Sequence, residues 1–362
     1  MNVKFAKRAA MVLGAATLGT ALISGTAQAD PTEFRQLNGV GSDTTQDVLN
    51  GISNDVFDSD GSPADLLIAS YDAVNPTTGA AHENIVLRSG HPAIQRPNGS
   101  GEGIAALRND AFTTHAGNID FARSSSGVTD SSDASLTWVP FAKDAVALAV
   151  KSGSTLPTNV TFAASNSDLK RVYNCKDTSG NPLPAGTFPT INGVTVHPLV
   201  PQSGSGTRKF WAAQLGFSAT ALPSCVSDVA KDGTPVEEHD GGALQRTVTA
   251  DHSEDIAPFS IAQWIAQSNS TTTHVRDRRH GVVLRSADGK TPTTGTPAAL
   301  NPLFPINREV YNVFVSTRLT ETDIANTFVG ASSDVCLDTA TITLYGFGVD
   351  PNCGLTTLKG KS

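Results

Sequence analysis

Three short loops of glycine, serine and threonine, each running straight into a helix-like segment, constrain this chain more than any other feature. The first is Gly39-Val40-Gly41-Ser42-Asp43-Thr44-Thr45-Gln46. The second is Asn98-Gly99-Ser100-Gly101-Glu102-Gly103, leading into residues 104–108. The third is Ser203-Gly204-Ser205-Gly206-Thr207-Arg208, leading into residues 209–215, with Gly216 as the expected stop. Asp43 followed by Gln46 has the form of a capping box with Asp43 as N-cap. The first turn of a helix offers unpaired N–H donors and a partial positive charge. Glycine lets backbone come close, and serine and threonine hydroxyls donate without adding charge. Such loops make anion cradles with little basic character. They match neither the dinucleotide fingerprint G-x-G-x-x-G nor the P-loop G-K-[ST].

Between these loops, strand-like and helix-like segments alternate. Val48, Leu49, Ile52 and Val56 share one helical face. Residues 64–70, 84–87, 119–122, 194–200 and 310–315 read as strands, and 206–215 and 261–267 as helices. Residues 139–150 form a long apolar run broken by Lys143 and Asp144, read as a buried strand leaving the first domain. Alternation predicts an α/β protein with parallel sheets and helices on their faces. The loop 231–242 carries Glu237, Glu238, His239 and Asp240 and reads as a charged surface loop; residues 276–280 read as a solvated basic turn.

The first 29 residues read as an export signal. Lys4, Lys7 and Arg8 precede an apolar stretch, and Ala27-Gln28-Ala29 offers a cleavage site before Asp30. The stretch is too short to span a bilayer, no cysteine stands near the cleavage point, and no second apolar run approaches twenty residues. Removing the signal shortens the chain from 362 to 333 residues, enough for two domains. It also removes three basic residues, so the formal net charge of −8 becomes −11. An acidic chain has no long-range attraction for nucleic acid or anionic membrane. Four cysteines remain, Cys175, Cys225, Cys336 and Cys353, and an exported chain with an even number favours disulfides. Of the three possible pairings, Cys175–Cys225 with Cys336–Cys353 is favoured. No C-x-x-C spacing suggests zinc.

The loops resemble those of the phosphate-binding proteins of ABC uptake systems, the PstS-like group of the type 2 periplasmic-binding-protein (PBP) superfamily. Gly41-Ser42-Asp43-Thr44 and Gly99-Ser100-Gly101-Glu102-Gly103-Ile104 resemble the first two ligand loops. Asp120-Phe121-Ala122-Arg123-Ser124-Ser125 resembles the segment carrying a Ser-Asp pair, and Ser203-Gly204-Ser205-Gly206-Thr207 the Ser-Gly-Thr loop of the second domain. Ile256-Ala257-Pro258-Phe259-Ser260 and Phe304-Pro305-Ile306-Asn307 resemble later strand motifs. The resemblance implies two lobes, residues 30–144 with 305–362 and residues 145–304, and a cleft between them. It implies an oxyanion, phosphate first, bound by Ser42, Asp43, Thr44, Ser100, Gly101, Ser124, Ser125, Ser205, Gly206 and Thr207. It further implies a monomer without cofactor, in the periplasm or outside the cell, with an ABC transporter permease as partner. Two departures stand out. Ser125 replaces the family's aspartate, and Pro201 falls where the family has its arginine, which leaves Arg123 or Arg208 as cation and Asp43 or Glu102 as carboxylate. Arg123 is expected to carry the main positive charge, with discrimination against sulfate weakened.

Two other functions fit less well. A secreted serine hydrolase needs a nucleophile, a base and an orienting group, yet neither Ser100 nor Ser205 stands in G-x-S-x-G and the eight histidines form no motif. A secreted interaction protein on the same fold needs no ligand chemistry at all.

Overall fold

The computed structural model describes residues 30–58, 65–245 and 254–361; the export signal and its cleavage point lie outside them. β1 (Leu37–Gly41) is buried along its whole length. It feeds α1 (Gln46–Ile52), which turns Val48, Leu49 and Ile52, each fully buried, into one core with Val56. Each such side chain contributes about 1.5–3 kcal/mol by leaving water. β2 (Ile68–Ser70), α2 (Ser100–Asn109) and β3 (Phe121–Ser124) follow, with β1 lying parallel between β2 and β3. Ile104 and Leu107 of α2 pack over this sheet.

β4 (Leu136–Val150) then leads out of the first half. The second half contains α3 (Asp168–Tyr173), β5 (Val194–Pro198), α4 (Gly206–Leu215), β6 (Glu254–Ser260) and α5 (Ile261–Ser268). β7 (Asn307–Val315) brings the chain back. The strand order is β2-β1-β3-β7-β4-β6-β5, closed by a short strand at Thr190–Ile191. The sheet is mixed, not parallel as the alternation predicts. β5 and β6 are parallel, but β7 runs antiparallel to both β3 and β4, and β4 antiparallel to β6. The reason is geometric: one strand carries the chain out and another carries it back, so these two must run in opposite directions.

β4 is shared. Its residues 136–145 pair with β7, and its residues 146–150 pair with β6. The buried side chains divide at the same place. One core takes Val139, Phe141 and Ala142 of β4 with Val310 and Phe314 of β7; another takes Ala145, Val146, Ala147, Leu148 and Val150 with Tyr173, Trp211, Phe304 and Ile306. α5 spans both, with Ala262 and Ala266 in the first core and Ile261 and Ile265 in the second.

α4 begins and ends as its sequence predicts. Ser205 is the N-cap and accepts from Arg208 N–H, and Gly216 closes the helix at φ 77°. Trp211 is fully buried, 5.6 Å from the Tyr173 ring in an edge-to-face arrangement. The capping box at α1 does not form: no side chain caps this helix, and Gln46 Oε1 accepts from Ala73 N at 2.8 Å. Asp43 is drawn instead to the guanidinium of Arg278 at 3.1 Å, a charge-assisted contact stronger than a neutral cap.

The cysteine sulfurs lie at bonding distance in the favoured pairs, Cys175–Cys225 and Cys336–Cys353. Each pair sits in one core. The second pair closes a separation of 17 residues. Replacing Cys336 and Cys353 together by serine is expected to cost about 3 kcal/mol in a urea melt, on the chain-entropy account. A loss under about 1 kcal/mol would contradict that value. No helix among the described residues is long and apolar enough to cross a membrane.

Candidate functional site

The N-terminus of α4 faces the loops that open α1 and α2. Gly206 lies directly against Ser100 and Ser125: a Cβ built on it would meet their hydroxyl oxygens at 2.3 and 2.4 Å. Ser100 Oγ and Ser125 Oγ are 3.3 Å apart, and Ser125 N donates to Ser100 Oγ at 3.0 Å. Thr207 Oγ1 lies 3.3 Å from Thr44 Oγ1. The glycines that the sequence suggests for close approach to an anion also let the two halves approach each other. Gly99, at φ 122°, sits where a Cβ would come within 2.6 Å of Gly204 O, and Gly101 N donates to that carbonyl at 3.0 Å.

Not every residue named from sequence reaches this place. Arg123 does not: it is fully buried and turned away. Its guanidinium donates to the carbonyls of Gly39, Gly41, Ser42 and Tyr71 and to Ser70 Oγ, at 2.6–3.3 Å. β1 and β2 end side by side there, and four carbonyls and the Ser70 hydroxyl use all of its donors. Ser124 Oγ donates to Ser126 O at 2.7 Å, within its own turn. Ser42 gives its N–H to Arg123 O, while its hydroxyl is buried without a partner. Arg208 is tied to Asp228 at 2.7 Å and to the carbonyls of Pro201 and Ala219. Glu102 binds Asn98 N and His82. Asp43 is held by Arg278, so the basic turn at 276–280 is anchored rather than free in water.

The cation at the site is Arg308, on β7. Its Nη2 donates to Thr207 Oγ1 at 2.9 Å and its Nη1 to Ser125 O at 2.9 Å. Asp144 of β4 holds it in place through Nε at 3.1 Å and Nη2 at 2.8 Å. The other Asp144 oxygen accepts from Ser260 Oγ and Ala262 N, so this one carboxylate also serves the N-terminus of α5. Arg308 follows immediately after the Phe304–Asn307 motif, but nothing in the sequence marks it as inward-facing.

Two further residues come from the loop read as exposed. Glu238 and His239 are buried, at 1% and 2% exposure. Glu238 Oε1 accepts from Ser205 Oγ and from Thr207 N at 3.1 Å; its Oε2 lies 3.4 Å from Thr44 Oγ1. Burial pushes this carboxyl up, but His239, Ser205 and Arg308 outweigh it and hold the pKa down to about 2. His239 Nε2 lies 2.9 Å from Thr44 Oγ1, and its Nδ1 accepts from Ser260 N at 3.4 Å. That bond places the ring proton on Nε2. Asp43, Glu238 and His239 bring one possible metal-ligand atom each within 4.8 Å of one another. Arg278 on Asp43 and Arg308 nearby make the position hostile to a divalent cation.

The seam is therefore lined by hydroxyls, helix-terminal amides, the Arg308 guanidinium and the His239 ring, donors that suit an anion of tetrahedral or planar oxygens, and the carboxylate on them in this structure is that of Glu238. The chain matches a family described as PBP superfamily domain over residues 27–330. No curated protein matches it by sequence. Among solved structures it is similar to an ABC-type phosphate transport receptor from Vibrio cholerae, at 15% identity and TM-score 0.49, covering 87% of this chain and 100% of that one. It is similar to PstS from Borrelia burgdorferi at 16% identity and TM-score 0.41, over 87% and 98% of the two chains. A phosphate-binding protein from Stenotrophomonas maltophilia is similar at 14% identity and TM-score 0.44, over 88% and 91%.

Proposed function

The chain belongs to the PBP superfamily, and on that premise we propose that it is an exported solute-binding protein that takes an inorganic oxyanion, phosphate first, between two lobes. The lobes are residues 30–144 with 305–362 and residues 145–304. The observation that carries this reading is the meeting of Thr44, Ser100 and Ser125 with Ser205, Gly206 and Thr207 around the N-terminus of α4, with Arg308 beside them. Donors from both lobes reach one place, so an anion bound there favours the closed form over an open one. Charge-assisted hydrogen bonds contribute about 1.5–3 kcal/mol each, so a few suffice for micromolar affinity. The protein acts outside the cytoplasm as a monomer, in the periplasm or secreted, and delivers to an ABC transporter permease.

Titration calorimetry with phosphate, sulfate and arsenate tests the reading. Phosphate is expected to bind, and Thr207→Val, which keeps the shape and removes the hydroxyl, to bind it about tenfold more weakly, about 1.4 kcal/mol. Since no aspartate stands at Ser125, sulfate is expected within about a hundredfold of phosphate, about 2.7 kcal/mol. An unchanged phosphate affinity in Thr207→Val would move the site elsewhere.

The hydrolase alternative has only a weak base, since the carboxylate on Ser205 is held down to about 2. Ser205 Oγ faces a carboxylate, and the histidine tautomer beside Thr44 carries its proton on the nitrogen that a nucleophile would need free. Ester and phosphoester hydrolysis is expected to be the same for the wild type and Ser205→Ala.

A further inference from the structure

We propose that Glu238 is a built-in ligand of this cleft: its carboxylate occupies the oxyanion seat on α4, and an external oxyanion enters only by displacing the turn that carries it. The proposal rests on the oxyanion reading of the site.

Three observations support it. First, the donors are the ones an oxyanion would use. Ser205 Oγ and Thr207 N both serve Glu238 Oε1, and Thr44 Oγ1 and His239 Nε2 lie 3.4 and 3.5 Å from Oε2. A carboxylate offers two oxygens to a seat at a helix N-terminus, as one edge of a phosphate or sulfate would. Second, the group is buried, and His239, Ser205 and then Arg308 favour its charged form against the cost of burial. Third, the turn is shaped to deliver it. His239 takes φ 55°, a left-handed conformation disfavoured for a residue with a Cβ, which reverses the chain where Glu238 points inward. Side contacts hold that turn: Gln267 Nε2 donates to His239 O at 3.1 Å, the His239 ring lies 5.5 Å from Phe259, and Asn98 Nδ2 donates to Glu237 across the seam at 3.3 Å.

The consequence is competitive. A second anion brought to the same donors meets a fixed negative charge in low dielectric, so a resident carboxylate lowers the apparent affinity for any free oxyanion. Removing the charge should empty the seat and make it responsive to small anions.

The test compares the wild type, Glu238→Ala and Glu238→Gln by titration calorimetry with phosphate and sulfate. Thermal melts in formate and acetate are run beside it. Glu238→Ala is expected to melt below the wild type in anion-free buffer and to recover with formate or acetate, while binding phosphate at least tenfold more tightly than the wild type. If Glu238→Ala fails to fold, Glu238→Gln, of the same size without the charge, carries the comparison: at least tenfold tighter phosphate binding supports the proposal, and equal affinity overturns it. Rescue by formate or acetate without any binding of phosphate or sulfate keeps the built-in ligand and removes the oxyanion-receptor reading. Phosphate held as tightly by the wild type as by Glu238→Ala removes the built-in ligand and keeps the receptor. The built-in ligand is likewise removed, and the receptor kept, if sulfate is bound more than a hundredfold more weakly than phosphate only while Glu238 is present, since Glu238 would then be accepting a proton from the bound anion. A melting temperature of Glu238→Ala that no anion moves overturns the proposal outright.

Discussion

Asp144→Ala is expected to lower stability by about 3–5 kcal/mol, the loss seen when one partner of a buried ion pair is removed. Asp144 is fully buried and Arg308 nearly so. Without the carboxylate, the guanidinium loses two of its bonds, Ser260 Oγ loses its acceptor and the first turn of α5 loses its anion. These losses fall on one spot, where β4 and β7 pass between the two cores and α5 joins them. Asp144→Asn, which keeps an acceptor, is expected to cost less. Urea unfolding of both variants beside the wild type measures the effect; an Asp144→Ala protein within about 1 kcal/mol of the wild type would show that the uncompensated arginine finds water or another anion.

The second large effect depends on pH. Asp72 is 6% exposed and accepts from Asn50 Nδ2 at 2.8 Å. Burial, and after it the charge of Asp47, push its carboxyl up to about 7 from an ordinary value of 3.8. Between those limits the folded protein keeps a proton that the unfolded chain has released. Stability therefore falls as pH rises through this window and levels off above it. At about 1.36 kcal/mol per unit, the full span is about 4 kcal/mol. Asp72→Asn cannot ionise and keeps an acceptor for Asn50. It is expected to match the wild type near pH 4 and to exceed it by up to about 4 kcal/mol at pH 8. Stability curves that run parallel from pH 4 to pH 8 would show that Asp72 is ionised throughout.

What could be read from the sequence was local. α4 was legible to the residue, because a serine cap, an apolar face and a terminal glycine all lie within the helix and its borders. β4 was legible because twelve of its residues form an unbroken apolar run apart from Lys143 and Asp144. Its role as a strand shared by two cores explains that break, since Asp144 marks the crossing where Arg308 arrives from β7. The charged residues of the site were not legible. Whether Glu238, His239, Arg278 and Arg308 face solvent or interior depends on partners far away in the chain: Ser205 and Thr207 for Glu238, Thr44 for His239, Asp43 for Arg278, Asp144 for Arg308. Arg123 misled for the same reason. Its place beside the ligand loops suggests a cleft cation, and only the ends of β1 and β2 show where its donors go.

The position of β7 sets a rule of timing. It is the last long strand in the chain, yet it lies between β3 and β4, which the chain has made far earlier. A chain that emerges amino end first can pair β1, β2 and β3, and can complete β4, β5 and β6, but no strand pairing joins the two groups until residues 307–315 arrive. The pairing that joins them spans much of the length of the polypeptide, so the loop-closure entropy is met late and in one step. The finished molecule is thus sealed from its tail. A truncation before residue 307 leaves two open sheet edges in search of a strand, while a nick in the exposed turn at 295–298 leaves the sealing strand on the carboxyl-terminal piece, able to pair with the other.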